Sequence, residues 1–217
     1  MNKNISVKSV HFPLAKFLIE RFHRTNKAPI GHRESFILMK NTNNYEPIVL
    51  CDNYDLYFSD WFHKAYPDPD KDYDDFIYSF TESGDPCLYS NGFKVLGVLT
   101  IGNTVARFKE KNIFEINRIC FLPSFNPLKD GFELPSYFIK EAIKQFNYNY
   151  DFNKIITYIH QQQKGKYLEY AGFKKDKNIT YSKNSIGWGN RLKRSISNLK
   201  PKTRYVFENK KGGFYPA

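Results

Sequence analysis

The residues best suited to proton transfer are two histidines and a tyrosine. His23 ends an apolar-periodic stretch, whereas Tyr158 and His160 lie two apart in KIITYIH. Residues two apart share one face of a strand, so the phenol and the imidazole would lie side by side. An imidazole serves near neutral pH as a general base or a metal ligand. We predict that these three residues handle protons or a metal ion. The structural alternatives are helix capping for His23 and a buried, hydrogen-bonded phenol for Tyr158.

Positively charged side chains surround His23 and recur along the chain. Guanidinium groups clamp phosphate or carboxylate, and an exposed indole stacks on a nucleobase. We predict that substrate, donor or DNA is contacted by Arg24, Lys27, His32, Arg33, Arg107, Arg118, Trp188, Arg191 and Arg194. Solvated charge is the alternative for the basic residues, and a core anchor is the alternative for Trp188.

Three further residues have a chemical and a structural interpretation. Ser136 lies where a helix should begin, so it is a candidate N-cap. Glu115 and Arg118 are three apart, which on a regular strand places them on opposite faces. We assign Arg118 to the site. Cys120 is typical of an inert core thiol.

The charge is divided unevenly along the 217 residues, whose net charge is +11. Residues 46–85 hold 11 acidic and 2 basic side chains, a net charge of −9, so the remaining 31 basic and 11 acidic side chains give +20. A body at +20 suits a polyanion such as DNA, and a basic soluble surface is the alternative. The acidic run lacks the spacing of a calcium loop. Three cysteines without zinc-site spacing favour a reduced, cytoplasmic setting.

Apolar periodicity predicts one α/β (α+β) domain over residues 1–217. Segment 41–93, acidic and rich in aromatics, is predicted to be an insertion between two strands. The remaining order predicts a mixed sheet with helices on both faces. The predicted helices are 13–25, 134–148 and 165–173, and the predicted strands are 34–40, 94–102, 114–122, 154–160, 178–182 and 202–208.

Five ordered blocks carry a resemblance to known proteins. The last of them, IITYIHQQQKGKYLEYAGF, resembles the end of the GNAT (Gcn5-related N-acetyltransferase) fold. Together the blocks resemble phage Mom-type DNA-modification proteins and their GNAT-like relatives. The blocks are 17–38, 96–108, 114–121, 134–144 and 155–173.

The resemblance implies an enzyme that adds a carbamoylmethyl-type group to the exocyclic amine of adenine in phage DNA, as an anti-restriction function. It implies DNA as partner, the cytoplasm of a bacterial host as location, and iron as a candidate cofactor with His23 and His160 as candidate ligands. It also implies that Ser136 is a catalytic residue that orients substrate. His160 stands where some relatives have an acidic residue.

Two alternatives stay open: an acyl-CoA-dependent N-acyltransferase, and a non-catalytic counter-defence protein. A homodimer is compatible with each of these readings. For acetyl-CoA, the stretch PSFNPLKDGFELPSY lacks the glycine pair of the GNAT pyrophosphate signature.

Overall fold

A seven-stranded sheet with a helix on each face forms the body of the protein. The computed structural model describes residues 4–23, 29, 31–41, 46–48, 76–80, 86–90, 93–104, 110–123, 125–179 and 201–209. The strands are β1 (Ile5–Val10), β2 (His32–Asn41), β3 (Glu46–Ile48), β4 (Phe76–Phe80), β5 (Pro86–Ser90), β6 (Phe93–Asn103), β7 (Ile113–Phe121), β8 (Lys154–His160), β9 (Lys174–Ile179) and β10 (Lys202–Glu208). The helices are α1 (Phe12–Phe22), α2 (Pro127–Asp130), α3 (Leu134–Asn149) and α4 (Lys166–Tyr170).

The strand order of the large sheet is β1-β2-β6-β7-β8-β10-β9. β7 and β8 are parallel, and the other neighbouring pairs of this sheet are antiparallel. The predicted mixed sheet with helices on both faces is therefore confirmed.

Alternating side chains of the central strands supply two apolar cores. Phe36 and Leu38 of β2 belong to the core beneath α3, whereas Ile37 belongs to the core beneath α1. This alternation follows from the two-residue period of a strand. α1 contributes an apolar stripe that includes Leu14 and Leu18, and Pro13 occupies its first turn as predicted.

Two strand predictions needed correction. β1 was missed, and the strand placed at 178–182 lies at Lys174–Ile179 instead. β9 reads KKDKNI and has no apolar alternation, because among the described strands it pairs with β10 alone, at the edge of the sheet, and its exposed lysines face water. Charged edge strands of this kind resist pairing with other chains, so their sequences carry little strand signal.

The segment between β2 and β6 includes a small second sheet. Its strand order is β3-β5-β4, and both pairs are antiparallel. Residues 49–75 of the same segment lie outside the described residues. Within the described part of the chain, no helix is long and apolar enough to span a membrane.

Candidate functional site

The parallel strands β7 and β8 pair over a short distance and then separate. Their register joins Ile113 to Lys154, Phe114 to Ile155 and Glu115 to Ile156, and it ends there although both strands continue. We call the opening between residues 116–121 of β7 and 157–160 of β8 the wedge. At its apex the Thr157 hydroxyl donates a hydrogen bond to the Ile116 carbonyl over 3.2 Å, in a buried position.

A β-bulge in β7 lies at the apex of the wedge. β6 pairs Thr100 with Arg118 and Ile101 with Ile116, so Asn117 is an extra residue without a register partner on β6. A bulge bends its strand and increases the local twist. It therefore explains why β7 turns away from β8 at this point.

The bulge also changes which face each side chain occupies. Thr100 and Gly102 are two apart on β6 and are the register partners of Arg118 and Glu115, so Arg118 and Glu115 share a face. The prediction that these two residues face opposite sides is wrong, because the extra residue between them reverses the alternation.

Buried polar side chains line this face of the sheet, the one that α1 covers. Ser35, Thr100 and Arg118 are successive register partners, as are His32, Gly102 and Glu115. Ser35 and Thr100 are fully buried, and Glu115 is 9% exposed. We call the following set the polar row: His32, Ser35, Thr100, Glu115 and Arg118.

The polar row contains a histidine held neutral by its surroundings. His32 Nε2 lies 2.7 Å from Ser35 Oγ, and the ring stacks on Phe12 at 4.1 Å between centroids. Burial lowers the pKa of His32 from 6.5, against a smaller opposing effect of a backbone hydrogen bond with Glu34. The neutral imidazole therefore dominates at pH 7.

The opposite end of the polar row carries a fixed guanidinium. Arg118 Nη1 donates to the main-chain carbonyl of Asn117 over 2.7 Å, which anchors it to the bulge. Burial lowers the pKa of Arg118, and the charge of Glu115 opposes that shift. Arginine starts so far above neutrality that the group stays cationic.

Tyr158 and His160 lie on the same face as the polar row. Ile156 is the register partner of Glu115, and Tyr158 and His160 follow it at two-residue steps along β8. The predicted pair therefore shares a face, and Tyr158 lies across the wedge from Arg118. The main-chain N–H of His160 donates to Gln163 Oε1 over 3.2 Å.

The other two predicted catalytic residues lie at helix ends. His23 follows α1, and its main-chain N–H donates to the Ile19 carbonyl over 2.9 Å. Ser136 is not the N-cap of α3, a position that Glu133 holds. Its hydroxyl instead donates to the Glu133 carbonyl over 2.7 Å, and the residue is 8% exposed. Catalytic roles for His23 and Ser136 stay predictions.

Of the remaining predicted binding residues, the structure describes Arg33 alone. Arg33 donates from Nε to Asn103 Oδ1 over 3.0 Å in an exposed position. The residues that lie outside the described part of the chain are Arg24, Lys27, Arg107, Trp188, Arg191 and Arg194. Among the described residues, no group of three or more histidine, cysteine or acidic side chains could hold a metal ion. The described residues, His23 and His160 included, therefore do not fit an iron site.

Four site residues were not chosen from the sequence: Ser35, Thr100, Glu115 and Asn117. The signal for two of them was available. Ser35 and Thr100 are polar residues beside or inside the apolar stretches FILM and VLTIG, and buried hydroxyls in such positions are typical of a site or a hydrogen-bonded core.

Comparison with known proteins gives distant structural likenesses. No protein-family model and no curated protein sequence matches the chain. A putative phosphinothricin N-acetyltransferase is similar at 10% identity and a TM-score of 0.47, covering 94% of this chain and 98% of that one. A spermidine N-acetyltransferase SpeG chimera from Vibrio cholerae and hSSAT is similar at 10% identity and 0.46, covering 96% and 98%.

The aminoglycoside acetyltransferase AAC(6')-Ib, in complex with Parmomycin and AcetylCoA, is similar at 13% identity and a TM-score of 0.41, covering 61% of this chain and 69% of that one. All three are N-acetyltransferases. Likeness at this level does not identify a substrate or a mechanism.

Proposed function

We propose that this protein is an N-acyltransferase, which moves an acyl group from a thioester donor to an amine. The wedge carries the proposal, because β7 and β8 pair at three positions and then part at a bulge. Separated strand edges present main-chain N–H and C=O groups that hydrogen-bond an extended ligand with amide groups of its own. The pantetheine arm of coenzyme A is such a ligand, so the wedge fits the arm that carries the thioester.

The polar row is placed to serve the acceptor. A donor lying in the wedge would bring an acyl thioester to the bulge, next to Glu115 and Arg118. The acceptor nitrogen attacks the carbonyl carbon, a C–N bond forms, and the C–S bond breaks with its electron pair on sulfur. Glu115 takes the proton that the nitrogen releases, and that proton passes to the leaving thiolate through solvent.

Two groups of the chain would stabilise the charge that develops on the carbonyl oxygen. The first group is the main-chain N–H of Asn117, the residue that has no register partner on β6. The guanidinium of Arg118 is held beside it by the bond to the Asn117 carbonyl. Preorganised donors of this kind lower the barrier because they need no reorientation during the reaction.

An assay of the purified chain tests the proposal. Acetyl thioesters are incubated with polyamines, amino acids, aminoglycosides and nucleosides, and mass spectrometry detects acylated products. Glu115→Gln should lower kcat by about 10²-fold or more, as removal of a general base does. Glu20→Gln is the matched control, since Glu20 is an exposed carboxylate on α1 and should leave the rate unchanged. Absence of transfer to every acceptor by a folded protein would refute the proposal.

A second candidate acceptor is the exocyclic amine of adenine in DNA, as the Mom-type resemblance implies. The charge distribution supports it, because the chain outside residues 46–85 carries +20 and suits a phosphate backbone. Nucleoside mass spectrometry of DNA from cells that express the chain distinguishes the candidates. Modified adenine in wild type, absent in Glu115→Gln, would establish it, and unmodified DNA would leave a small amine as the acceptor.

A further inference from the structure

A basic surface with an exposed aromatic ring is formed by α4, the loop before it and the strand after it. We call it the α4–β9 surface, and its exposed side chains are Lys164, Lys166, Tyr170, Lys174, Lys175 and Lys177. None of them was chosen as a site residue from the sequence. Tyr170 is 70% exposed. The surface therefore offers a ligand both a flat apolar ring and several positive charges.

The geometry of α4 turns Lys166 and Tyr170 outward together. Residues four apart lie on the same side of a helix, and Leu168, midway between them, is buried in the core. One side of α4 is therefore packed, and the other carries the lysine and the tyrosine. Lys174 follows Tyr170 by four residues, a separation of about 14 Å at most even in an extended chain. Tyr170 thus has a lysine close to it in both directions along the chain.

The sheet gives the α4–β9 surface a firm support. Gly165 precedes α4 with a φ of +64°, and a Cβ on it would lie 2.6 Å from the Tyr205 hydroxyl, so the start of the helix is packed tightly on β10. At the other end the Phe173 N–H donates to the Leu168 carbonyl over 3.0 Å, and Phe173 is buried. These contacts fix where α4 ends and β9 begins. A surface organised before binding loses less conformational entropy when a ligand arrives.

The positive charge of this surface exceeds the charge of its own acidic groups. Residues 164–177 contain five lysines and two acidic residues, Glu169 and Asp176. Asp176 forms a salt bridge with Arg204 of the neighbouring strand β10. With Arg204 included, six basic and two acidic side chains give a net charge of +4. Clustered charge of this size attracts a phosphate backbone and releases its counterions.

Single-stranded nucleic acid has the chemistry that matches both parts of the surface. Lysine ammonium groups neutralise phosphates, and an exposed aromatic ring stacks on a base whose face is free. An acidic peptide would use the lysines and give the ring no flat partner. Protection of a sheet edge explains the lysines of β9, but not Lys166 or Tyr170, which precede that strand.

We propose that the α4–β9 surface binds single-stranded DNA or RNA, with a base stacked on Tyr170 and backbone phosphates on Lys166 and Lys174. The inference concerns binding alone, so it holds or fails independently of the proposed acyl transfer.

Fluorescence anisotropy of the full chain with a labelled oligothymidylate of about 20 nucleotides tests the role of the ring. Tyr170→Ala should weaken binding by about five- to 100-fold, since one stacked base contributes that much. Tyr148→Ala is the matched control, because Tyr148 is a 66% exposed tyrosine on α3 with Lys144 four residues before it. The control should bind within about twofold of wild type. Failure of wild type to bind, or equal losses in the two variants, would overturn the inference.

Salt dependence tests the lysines. Lys166→Gln combined with Lys174→Gln should reduce the slope of log Kd against log salt concentration by about 1.4, since each phosphate contact on a single strand contributes about 0.7. Lys140→Gln combined with Lys144→Gln, both on α3, should leave the slope unchanged. Equal changes in the two double variants would contradict the proposed phosphate contacts. Oligoglutamate bound as tightly as oligothymidylate would show a surface for acidic chains in general and would overturn the assignment to nucleic acid.

Discussion

Gly102 of β6 packs tightly against the residue Asn117 at the apex of the wedge. A Cβ at this position would meet the Gly31 carbonyl oxygen more closely than side chains tolerate, and it would lie 2.5 Å from Asn117 Oδ1. The Gly31 carbonyl cannot move freely, because it accepts a hydrogen bond from the Asn103 N–H over 2.7 Å. Gly102→Ala must therefore displace the main chain of Gly31 or of residue 102, or move the bulge residue Asn117.

The expected loss of stability follows from overpacking. Forcing a methyl group into a filled site typically costs about 1–3 kcal/mol. For a domain of this size that loss lowers Tm by about 2–12 °C. Gly97→Ala is the matched control on the same strand, since its Cβ would lie 3.1 Å from the Cys120 carbonyl and from a Phe121 ring carbon. Small adjustments relieve such contacts, so this variant should stay within about 1 kcal/mol of wild type.

Thermal unfolding followed by circular dichroism measures both variants, and the acyl-transfer assay follows in parallel at a temperature where both are folded. Gly102→Ala should also lose more activity than Gly97→Ala, because it displaces Asn117. If Gly102→Ala were as stable and as active as Gly97→Ala, the account of the tight apex and of the bulge as part of the site would be refuted.

Three further predictions concern buried polar groups. Burial raises the pKa of Cys120 to about 11, so iodoacetamide at pH 8 should leave Cys120 unmodified in the native protein and should modify it in denaturant. Peptide mass spectrometry measures the modification, and labelling of Cys120 in the native protein would contradict its burial. Burial raises the pKa of Glu34, so the native state binds the carboxyl proton more tightly than the unfolded state does, and the free energy of unfolding falls as the pH rises from about 4.5 through the native pKa. Glu34→Gln should remove that decline, and an unchanged pH dependence of stability would contradict the prediction. Thr157→Val removes the hydrogen bond to the Ile116 carbonyl, so it should lower the free energy of unfolding in urea by about 0.5–1.5 kcal/mol and also lower the transfer activity. A variant with unchanged stability and activity would show that the apex does not depend on this bond.

The buried part of the sheet could be predicted from the sequence because its strands are rich in apolar residues, which form a continuous run in β6 and alternate with polar residues in β10. β8 and β10 have the predicted bounds, and β6 and β7 differ from prediction by a residue at each end. The edges could not be predicted in the same way. Since β1 and β9 each pair with a single one of the described strands, they need little apolar surface, and pairing with a neighbour decides their position more than composition does.

The site was predictable only where it depends on regular alternation. Tyr158 and His160 share a face as expected, because β8 is a regular strand. Glu115 was assigned to the wrong face because a bulge reverses the alternation, and neither glycine nor proline marks that bulge in FEINRICF. A one-residue change of register moves a side chain to the other face. The position of Glu115 therefore depends on how β7 pairs with β6, and that pairing is not encoded in the local sequence.

The short pairing of β7 with β8 has a consequence for how the two parts of the large sheet are held together. Residues 5–121 supply β1, β2, β6 and β7, and residues 154–209 supply β8, β9 and β10, so each half of the large sheet is a run of antiparallel neighbours. The halves meet at three register pairs and through α3. The wedge therefore lies at the junction of the two halves. A ligand that hydrogen-bonds to both strand edges of the wedge would also hold the two halves together.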